Sequence, residues 1–148
     1  MSTLTDTNIL ARSAQPQHPM HQAAVDSVAN LHQQGEDLCV VPQILYEFWV
    51  VCTRPLGENG LGMTAAQAQA EMKSVRQFFK LFDDTPAIFA EWEQVVNQHQ
   101  VMGKKAHDAH LVAAMRVHGV GRILTFNTQD FQRYQGIVVV SPAQVLAR

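Results

Sequence analysis

Four acidic side chains in this sequence are placed where they could bind a divalent cation together. Asp6 and Asp130 each follow a predicted β-strand, while Glu47 and Asp108 lie within apolar stretches that are predicted to be helical. In open α/β sheets, ligands bind at the carboxyl ends of the strands, so acids that follow strands collect at that edge. A carboxylate among large apolar groups must lie at an exposed edge, pair with a charge or bind a metal. The pattern therefore indicates a carboxylate cluster at one edge of a sheet.

Such a cluster would suit the hydrolysis of a phosphodiester bond. Carboxylates at short range repel one another, burial raises their pKa values, and a divalent cation removes this cost. Hard oxygen ligands favour Mg²⁺ or Mn²⁺ over zinc. Water on such an ion can be deprotonated to attack phosphorus, while the ion stabilises charge on the phosphoryl oxygens. Acids at strand ends occur in many α/β proteins, so this spacing by itself indicates the chemistry only in outline.

Predicted strands and helices alternate along the chain and position these acids. Short apolar runs predict strands at residues 38–41, 122–125 and 136–140, and a weaker, polar pattern predicts a first strand at residues 3–5. Helices are predicted at residues 21–34, 42–54 and 65–81, from residue 86 onward, and at residues 106–118. Strands that alternate with helices imply a parallel sheet covered by helices on both sides. The glycine-rich residues 57–63 are expected to form a flexible loop near the substrate.

Length, composition and charge limit the class of protein. The chain has 148 residues, of which 47% are apolar and 16% charged, and this is typical of one compact domain, here residues 1–148. No apolar run approaches the roughly 20 residues that span a bilayer, and the start is unlike a secretory signal, so the cytoplasm is the expected location. Cys39 and Cys52 are expected to be buried free thiols. The net charge of −2 gives no overall attraction to nucleic acid, which local basic groups or a metal must supply.

Four segments of the chain resemble motifs of the PIN-domain family. Residues 6–10, Asp-Thr-Asn-Ile-Leu, are similar to the opening motif of the family, and residues 42–47 resemble the segment that carries its second acid. Residues 107–114 resemble the helix with the third acid, and residues 125–131, Thr-Phe-Asn-Thr-Gln-Asp-Phe, resemble the terminal motif. One such motif would be weak evidence, but these four occur in the order of the family and span nearly the whole chain.

The resemblance implies a fold, an activity and partners. The fold would be a flavodoxin-like, three-layer α/β/α sandwich with a central, mainly parallel sheet. The activity would be Mg²⁺- or Mn²⁺-dependent cleavage of RNA, and small bacterial members often serve as VapC-type toxins. A homodimer is expected, and a toxin would also bind a small antitoxin protein whose arginine-bearing segment covers the acidic site. No membrane partner is expected.

Matched residue by residue, the resemblance also implies roles in the site. Asp6, Glu47 and Asp108 would hold the metal, and Asp130 would complete the catalytic set. Asn127 stands where many members have a fourth acid, and its amide brings no negative charge. Roles in orienting carboxylates or water would fall to Thr7, Asn8, Thr125 and Asn127.

Basic residues near these segments are candidates for binding the RNA phosphates. Lys104 and Lys105 precede Asp108 and would be either phosphate contacts or a solvated pair of charges. Arg12 and Arg54 are further candidates of the same kind.

Each metal-binding acid also has a structural alternative. Asp6 could cap a helix over residues 7–12, since Asp is favoured at that position. Glu47 could form an ion pair with Arg54. Asp108 could cap its own helix, which would be compatible with binding a metal.

Other residues that can carry chemistry are assigned lesser roles. His107 and His110 lie three apart on one helix and are expected to pack or to contact phosphate, because hard cations do not need imidazole. An aromatic cluster with helical spacing is expected in the core or in a dimer interface, and it comprises Phe78, Phe79, Phe82, Phe89 and Trp92.

Two rival functions come from other classes of protein. The first is a catalytically inactive PIN-fold binding or scaffold module, which the uncharged Asn127 favours. The second is a phosphatase with an aspartyl nucleophile. Such enzymes favour a second Asp two residues after the first, where this chain has Asn8.

Overall fold

Five parallel strands form one sheet at the centre of the molecule. The computed structural model describes residues 1–147 of the chain. The strands are β1 (Ser2–Thr5), β2 (Asp37–Val40), β3 (Lys80–Leu81), β4 (Arg122–Leu124) and β5 (Val138–Val140). Their order across the sheet is β3-β2-β1-β4-β5, and every neighbouring pair is parallel. This order places β1 in the middle, with β2 and β4 on either side.

Two groups of helices flank the sheet. The helices are α1 (Thr7–Ser13), α2 (His21–Gln33), α3 (Pro42–Thr53), α4 (Ala65–Phe78), α5 (Pro86–Gln98), α6 (Lys105–His118) and α7 (Pro142–Leu146). Helix α5 packs along α6, whereas α1 packs against α2 and α3, α2 against α7, and α3 against α4. The predicted α/β/α architecture with a parallel sheet is confirmed.

The first strand is short and polar, yet it lies in the centre of the core. Thr3, Leu4 and Thr5 have no exposed surface. Leu4 is paired on both sides, with β2 and with β4. Thr3 Oγ1 donates a hydrogen bond of 2.6 Å to Glu36 Oε2, which supplies the partner that a buried hydroxyl requires. Pairing on both edges therefore stabilises a strand whose sequence pattern is weak.

Two elements differ from those predicted. The predicted helix at residues 65–81 ends at Phe78, because Phe79 is extended and Lys80–Leu81 form the edge strand β3. This strand pairs with the end of β2, a long-range contact that helical periodicity within the segment does not reveal. The strand predicted at residues 136–140 begins only at Val138, and Gly136 before it adopts a left-handed φ of 86°.

Helix α7 was not predicted, although its start carries a recognisable signal. Ser141 and Gln144 form a capping box, and Pro142 occupies the first helical position. The other predicted strands and helices are confirmed, with ends that differ by about one or two residues.

The glycine-rich segment after α3 is tied to the end of that helix. The N–H groups of Leu61 and Met63 donate to carbonyl oxygens in the last turn of α3, each at 2.9 Å. The N–H of Gly62 donates to the Arg54 carbonyl oxygen, also at 2.9 Å. The segment predicted as a flexible loop therefore packs back on α3 through its backbone.

Three predictions concern the chain as a whole. Cys39 and Cys52 are buried and free, as predicted. Within the described residues, no helix is both long enough and apolar enough to cross a membrane. The predicted domain, residues 1–148, includes Arg148, which lies outside the described residues, and its extent stays a prediction.

Candidate active site

Asp6 lies where β1 ends and α1 begins, at the middle of the carboxyl edge of the sheet. Its backbone N–H donates to the Leu124 carbonyl oxygen at 3.1 Å, which continues the contact between β1 and the end of β4. Its Oδ1 accepts a hydrogen bond of 2.7 Å from the Thr7 N–H, so Asp6 is the N-cap of α1. The capping alternative is therefore confirmed. It leaves the carboxylate with further lone pairs for another ligand.

The second oxygen of Asp6 belongs to a hydrogen-bond network with the segment after β4. Asp6 Oδ2 accepts from Thr125 Oγ1 at 2.8 Å and from Asn8 Nδ2 at 3.4 Å. Thr125 Oγ1 in turn accepts from Asn8 Nδ2 at 3.1 Å and from the Asn127 N–H at 3.0 Å. Asn8 Oδ1 accepts from the Phe126 N–H at 3.1 Å. Residues predicted to orient the acids thus surround Asp6, and their catalytic role stays a prediction.

Burial raises the pKa of Asp6 from its ordinary value of 3.8 to about 6. Only 8% of the residue is exposed, so its carboxylate loses most of its hydration. The hydrogen bonds from Thr125 and from the Thr7 N–H lower the pKa, whereas the charges of Glu47 and Asp130 raise it. Asp6 therefore carries its negative charge at neutral pH at a cost in stability.

Glu47 projects from α3 and accepts hydrogen bonds from two helices. Thr7 Oγ1 donates to Glu47 Oε1 at 3.0 Å, and Gln43 Nε2 donates to Glu47 Oε2 at 3.3 Å. The alternative ion pair with Arg54 is wrong, because the Arg54 guanidinium instead donates to the Asn59 carbonyl oxygen at 3.1 Å. Gln43 was not among the predicted site residues. Its spacing was the available signal, since it lies four residues before Glu47 on the same helix.

Asp108 lies in the first turn of α6, after the N-cap residue Lys104. No side-chain hydrogen bond caps this helix, so the alternative in which Asp108 caps it is wrong. The position favours a negative charge, because the first turn of a helix carries partial positive charge. Burial nevertheless raises the pKa of Asp108 from 3.8 to about 6. This acid therefore also ionises at a cost.

The four predicted catalytic acids lie close enough together for their charges to interact. The charges of Asp130, Asp6 and Glu47 each raise the pKa of Asp108, after burial as the main cause. Glu47 and Asp130 act on Asp6 in the same direction. Among residues 1–147, however, no three side chains of His, Cys, Asp or Glu are close enough together to hold an ion as they stand. A metal would have to draw the acids closer or bind them partly through water.

Asp130 and Asn127 lie in the loop that follows β4, and both are exposed. Asp130 ends a single 3₁₀ turn, Thr128–Asp130, and residues 126–130 line a polar cavity. The backbone N–H of Asn127 is anchored on Thr125, which leaves its side chain at the solvent edge of the site. The exposed edge of the site therefore carries a neutral amide, Asn127, and a carboxylate, Asp130.

The predicted RNA-binding residues fall into two groups. Lys104 and Lys105 are exposed at the start of α6, about 5 Å along the helix axis from Asp108. Arg12 is half-buried in the last turn of α1, where its guanidinium donates to a neighbouring glutamine side chain at 2.8 Å. Arg54 follows α3 and contacts the glycine-rich segment. The lysines are therefore near the acids, whereas both arginines are engaged at the far ends of their helices.

The carboxylate oxygen atoms in this region are suitable ligands for a hard divalent cation. Asp6, Glu47 and Asp108 offer carboxylate oxygens with lone pairs beyond those used in hydrogen bonds. Oxygen ligands of this type are preferred by Mg²⁺ and Mn²⁺. Burial is the main reason that the pKa values of Asp6 and Asp108 are raised, and neighbouring acids raise them further; a divalent positive charge would offset both effects. Drawn closer together, or acting partly through bound water, these three acids could hold such an ion.

Comparison with known proteins adds independent information about the family. The sequence pattern of the PIN domain matches residues 3–137 of the chain. Ribonuclease VapC48 of Mycobacterium tuberculosis is 26% identical over 151 aligned residues, which cover 96% of this chain and 98% of that relative.

Solved structures share the fold. VapBC2 from Rickettsia felis, bound to a DNA fragment from its promoter, matches with a TM-score of 0.72 and 12% identity, covering 95% of this chain and 98% of that chain. Mycobacterium tuberculosis VapC20, a sarcin-ricin loop cleaving toxin, matches with a TM-score of 0.64 and 17% identity, covering 88% and 94% respectively. Because the PIN domain pattern extends over most of the sequence, this chain belongs to the PIN domain family.

Proposed function

We propose that this protein is a Mg²⁺- or Mn²⁺-dependent endoribonuclease that hydrolyses phosphodiester bonds of RNA. Asp6, Glu47 and Asp108 would hold the ion. The observation that carries the proposal is the position of Asp6, Glu47 and Asp108, acids from distant parts of the chain: burial is the main reason that the pKa of Asp108 is raised to about 6, and repulsion by Asp130, Asp6 and Glu47 raises it further. Such mutual repulsion is unfavourable without a cation, which makes binding of one favourable.

Different residues of the site would have different roles in hydrolysis. When bound, the ion would supply a more acidic water and a positive charge beside the phosphoryl oxygens. Thr7 and Thr125 hold the carboxylates of Glu47 and Asp6 in fixed orientations. Asp130, exposed at the rim, would orient the attacking water or accept its proton. Attack in line with the leaving oxygen would leave a 5′-phosphate on one fragment.

Binding of the RNA would depend on local positive charge. The chain has a net charge of −2, so its overall field does not attract a polyanion. Lys104 and Lys105 are exposed one turn or less from Asp108 and would neutralise phosphates beside the scissile bond. Arg12 and Arg54 would contact phosphates only after leaving their present partners.

The relatives support a role as the toxin of a toxin–antitoxin pair. One is named a ribonuclease and another a toxin that cleaves the sarcin-ricin loop, while the VapBC structure contains a partner protein and promoter DNA. An antitoxin would place a basic segment over the acids, where opposite charges would meet. A cytoplasmic location, where RNA is available, is part of the same proposal.

A homodimer is also proposed, with the aromatic face of α5 as its contact. Phe89 and Trp92 stack on this helix with ring centroids 5.8 Å apart, and Phe89 is 62% exposed. Exposed aromatic groups of this kind are enriched in protein interfaces. Light scattering after gel filtration would test the dimer, and Phe89→Ser should increase the monomer fraction if this face is used.

Cleavage of a structured RNA in the presence of Mn²⁺ tests the proposed activity. Asp6→Asn and Asp108→Asn should each reduce the rate by more than about 100-fold, because each removes a charged ligand of the ion. Asp84→Asn changes an exposed acid next to Asp83, which contacts His118 at the opposite end of α6 from Asp108, and should leave the rate unchanged. Calorimetric titration should show Mn²⁺ binding that Asp6→Asn abolishes. Equal rates for wild type and Asp6→Asn would exclude the proposal.

A catalytically inactive PIN-fold binding module is the alternative. Asn127 in place of an acid favours it, as does the finding that no ready-made group of three ligands exists among residues 1–147. The calorimetric experiment separates the two functions, because an inactive module would bind no Mn²⁺ through Asp6.

A further inference from the structure

The side-chain amide of Gln43 connects the two helices that carry Glu47 and Asp108. Its Nε2 donates to Glu47 Oε2 on α3 at 3.3 Å and to the His107 carbonyl oxygen on α6 at 2.8 Å. Its Oε1 contacts His110 Nδ1, also on α6. One half-buried amide therefore has three partners, drawn from both helices.

These partners determine which way the amide points. The His107 carbonyl and the Glu47 carboxylate are both acceptors, so the donor group, Nε2, must face them. The amide oxygen must then face His110, and two acceptors would meet there unless Nδ1 of His110 carries a proton. The network therefore assigns His110 as the Nδ1–H tautomer. The same proton is present in the charged imidazolium, so the contact does not depend on the charge of the ring.

Glu47 is consequently held from two sides. Thr7 Oγ1 donates to one carboxylate oxygen and Gln43 Nε2 to the other, so both oxygens have a fixed donor. A glutamate on a helix otherwise samples several rotamers, and ordering it at the moment of metal binding would reduce affinity. The carbonyl of His107 precedes Asp108 directly, so the same amide also sets the position of Glu47 relative to the start of α6.

We propose that Gln43, oriented by His110, is a positioning residue: it keeps the Glu47 carboxylate at a fixed position relative to Asp108. The effect on metal binding and cleavage rests on the proposed function, whereas the orientation of the amide and the imidazole does not. Neither residue is assigned as a ligand or as an acid or base.

The chain contains a matched control for this arrangement. Gln22 Nε2 donates to Asp26 Oδ1 at 2.7 Å on α2, with the same spacing of four residues as Gln43 and Glu47. That pair is exposed on α2, a helix that packs mainly against α1 and α7 rather than against α3 or α6. If a glutamine–acid pair on a helix stabilised only its own helix, Gln22→Met and Gln43→Met would have similar effects.

Nitrogen NMR of the imidazole rings tests the orientation directly, without metal or substrate. In its neutral form, His110 should show a protonated Nδ1 and an unprotonated Nε2. Gln43→Met should reduce the Nδ1–H population, because the acceptor is lost, and Gln22→Met should leave it unchanged. A wild-type His110 with its proton on Nε2 would overturn the proposal.

The Mn²⁺ affinities of variants at Gln43 and His110 test the positioning role. Gln43→Met should weaken Mn²⁺ binding by about 10- to 100-fold while the thermal unfolding midpoint stays near that of Gln22→Met. His110→Asn keeps a donor near the position of Nδ1 and should retain most of the affinity, whereas His110→Leu should resemble Gln43→Met. Wild-type affinity in Gln43→Met would refute the positioning role. If wild type itself neither binds Mn²⁺ nor cleaves RNA, the nuclease proposal fails, and the NMR result decides the orientation of Gln43 separately.

Discussion

Thr125 Oγ1 donates a hydrogen bond of 2.8 Å to Asp6 Oδ2, joining two residues that are 119 positions apart in the chain. The same hydroxyl accepts from the Asn8 amide and from the Asn127 N–H. Thr125 has no exposed surface, so water does not compete for these contacts. One buried hydroxyl thus fixes the carboxylate at the end of β1 against the loop that follows β4.

Removing this hydroxyl should make Asp6 harder to ionise. In Thr125→Val the carboxylate loses a donor that lowers its pKa, so the pKa of Asp6 should rise above its present value of about 6. A carbon-detected NMR titration of the aspartate carboxyl groups measures this change. Thr53→Val removes a hydroxyl that bonds only within α3 and serves as the control. An unchanged or lower pKa in Thr125→Val would show that the hydrogen bond does not stabilise the carboxylate.

Stability should depend on pH through Asp6. Its pKa in the folded state, about 6, is above the ordinary value of 3.8, so the folded state binds the proton more tightly than the unfolded chain does. The resulting stabilisation is present at low pH and is lost as the pH rises through about 6. Asp6→Asn keeps an oxygen for the helix cap without the charge. Its stability relative to wild type should therefore increase by about 1 kcal/mol between about pH 5 and about pH 8.

Urea unfolding in the presence of a chelator measures this difference. The exposed Asp84→Asn variant should show no comparable increase over the same interval. Added Mn²⁺ at about 100 times its dissociation constant should stabilise wild type by about 2.7 kcal/mol and should stabilise Asp6→Asn by much less. If the free energy of unfolding of Asp6→Asn relative to wild type fell as the pH rose, the raised pKa of Asp6 would be contradicted.

The lysines at the start of α6 should contribute to RNA affinity through charge. Replacing Lys104 and Lys105 together by Ala removes up to two phosphate contacts, so binding should weaken and its dependence on salt should become shallower. The slope of log K against log salt should fall in magnitude by about 1–1.5 for a single-stranded RNA. Fluorescence anisotropy in an Asp6→Asn background avoids cleavage during the measurement. Lys73→Ala, exposed on α4, should leave the slope unchanged, and an unchanged slope in the double variant would remove the lysines from the binding surface.

Gly60 should resist substitution because of close packing. A Cβ at this position would lie 1.9 Å from the Arg54 carbonyl oxygen, so the segment after α3 would have to move. Gly60→Ala should destabilise the protein by about 1–3 kcal/mol in urea unfolding. Gly57 belongs to the same segment, and a Cβ there meets nothing within 4 Å, so Gly57→Ala should change stability by less than about 0.5 kcal/mol. Equal effects of the two substitutions would show that the segment is not held against α3.

The position of the acids along the chain could be predicted because it depends on local pattern. Apolar runs predict β2 and β4, and helical spacing predicts α3 and α6. Asp6 is the residue immediately after β1. Since parallel strands end at a common edge, these local assignments were enough to predict that distant acids would lie in one region. The raised pKa of Asp108, to which Asp6 and Glu47 contribute, agrees with that prediction.

Contacts between side chains far apart in sequence were decided only by the tertiary structure. The edge strand Lys80–Leu81 forms because β2 offers it a partner, although its own segment has a helical pattern. Gln43 and His110 are 67 positions apart, and their contact depends on how α3 and α6 pack. Periodicity reports which face of an element is buried, whereas a hydrogen bond requires two specific atoms within about 3 Å, and only packing determines that.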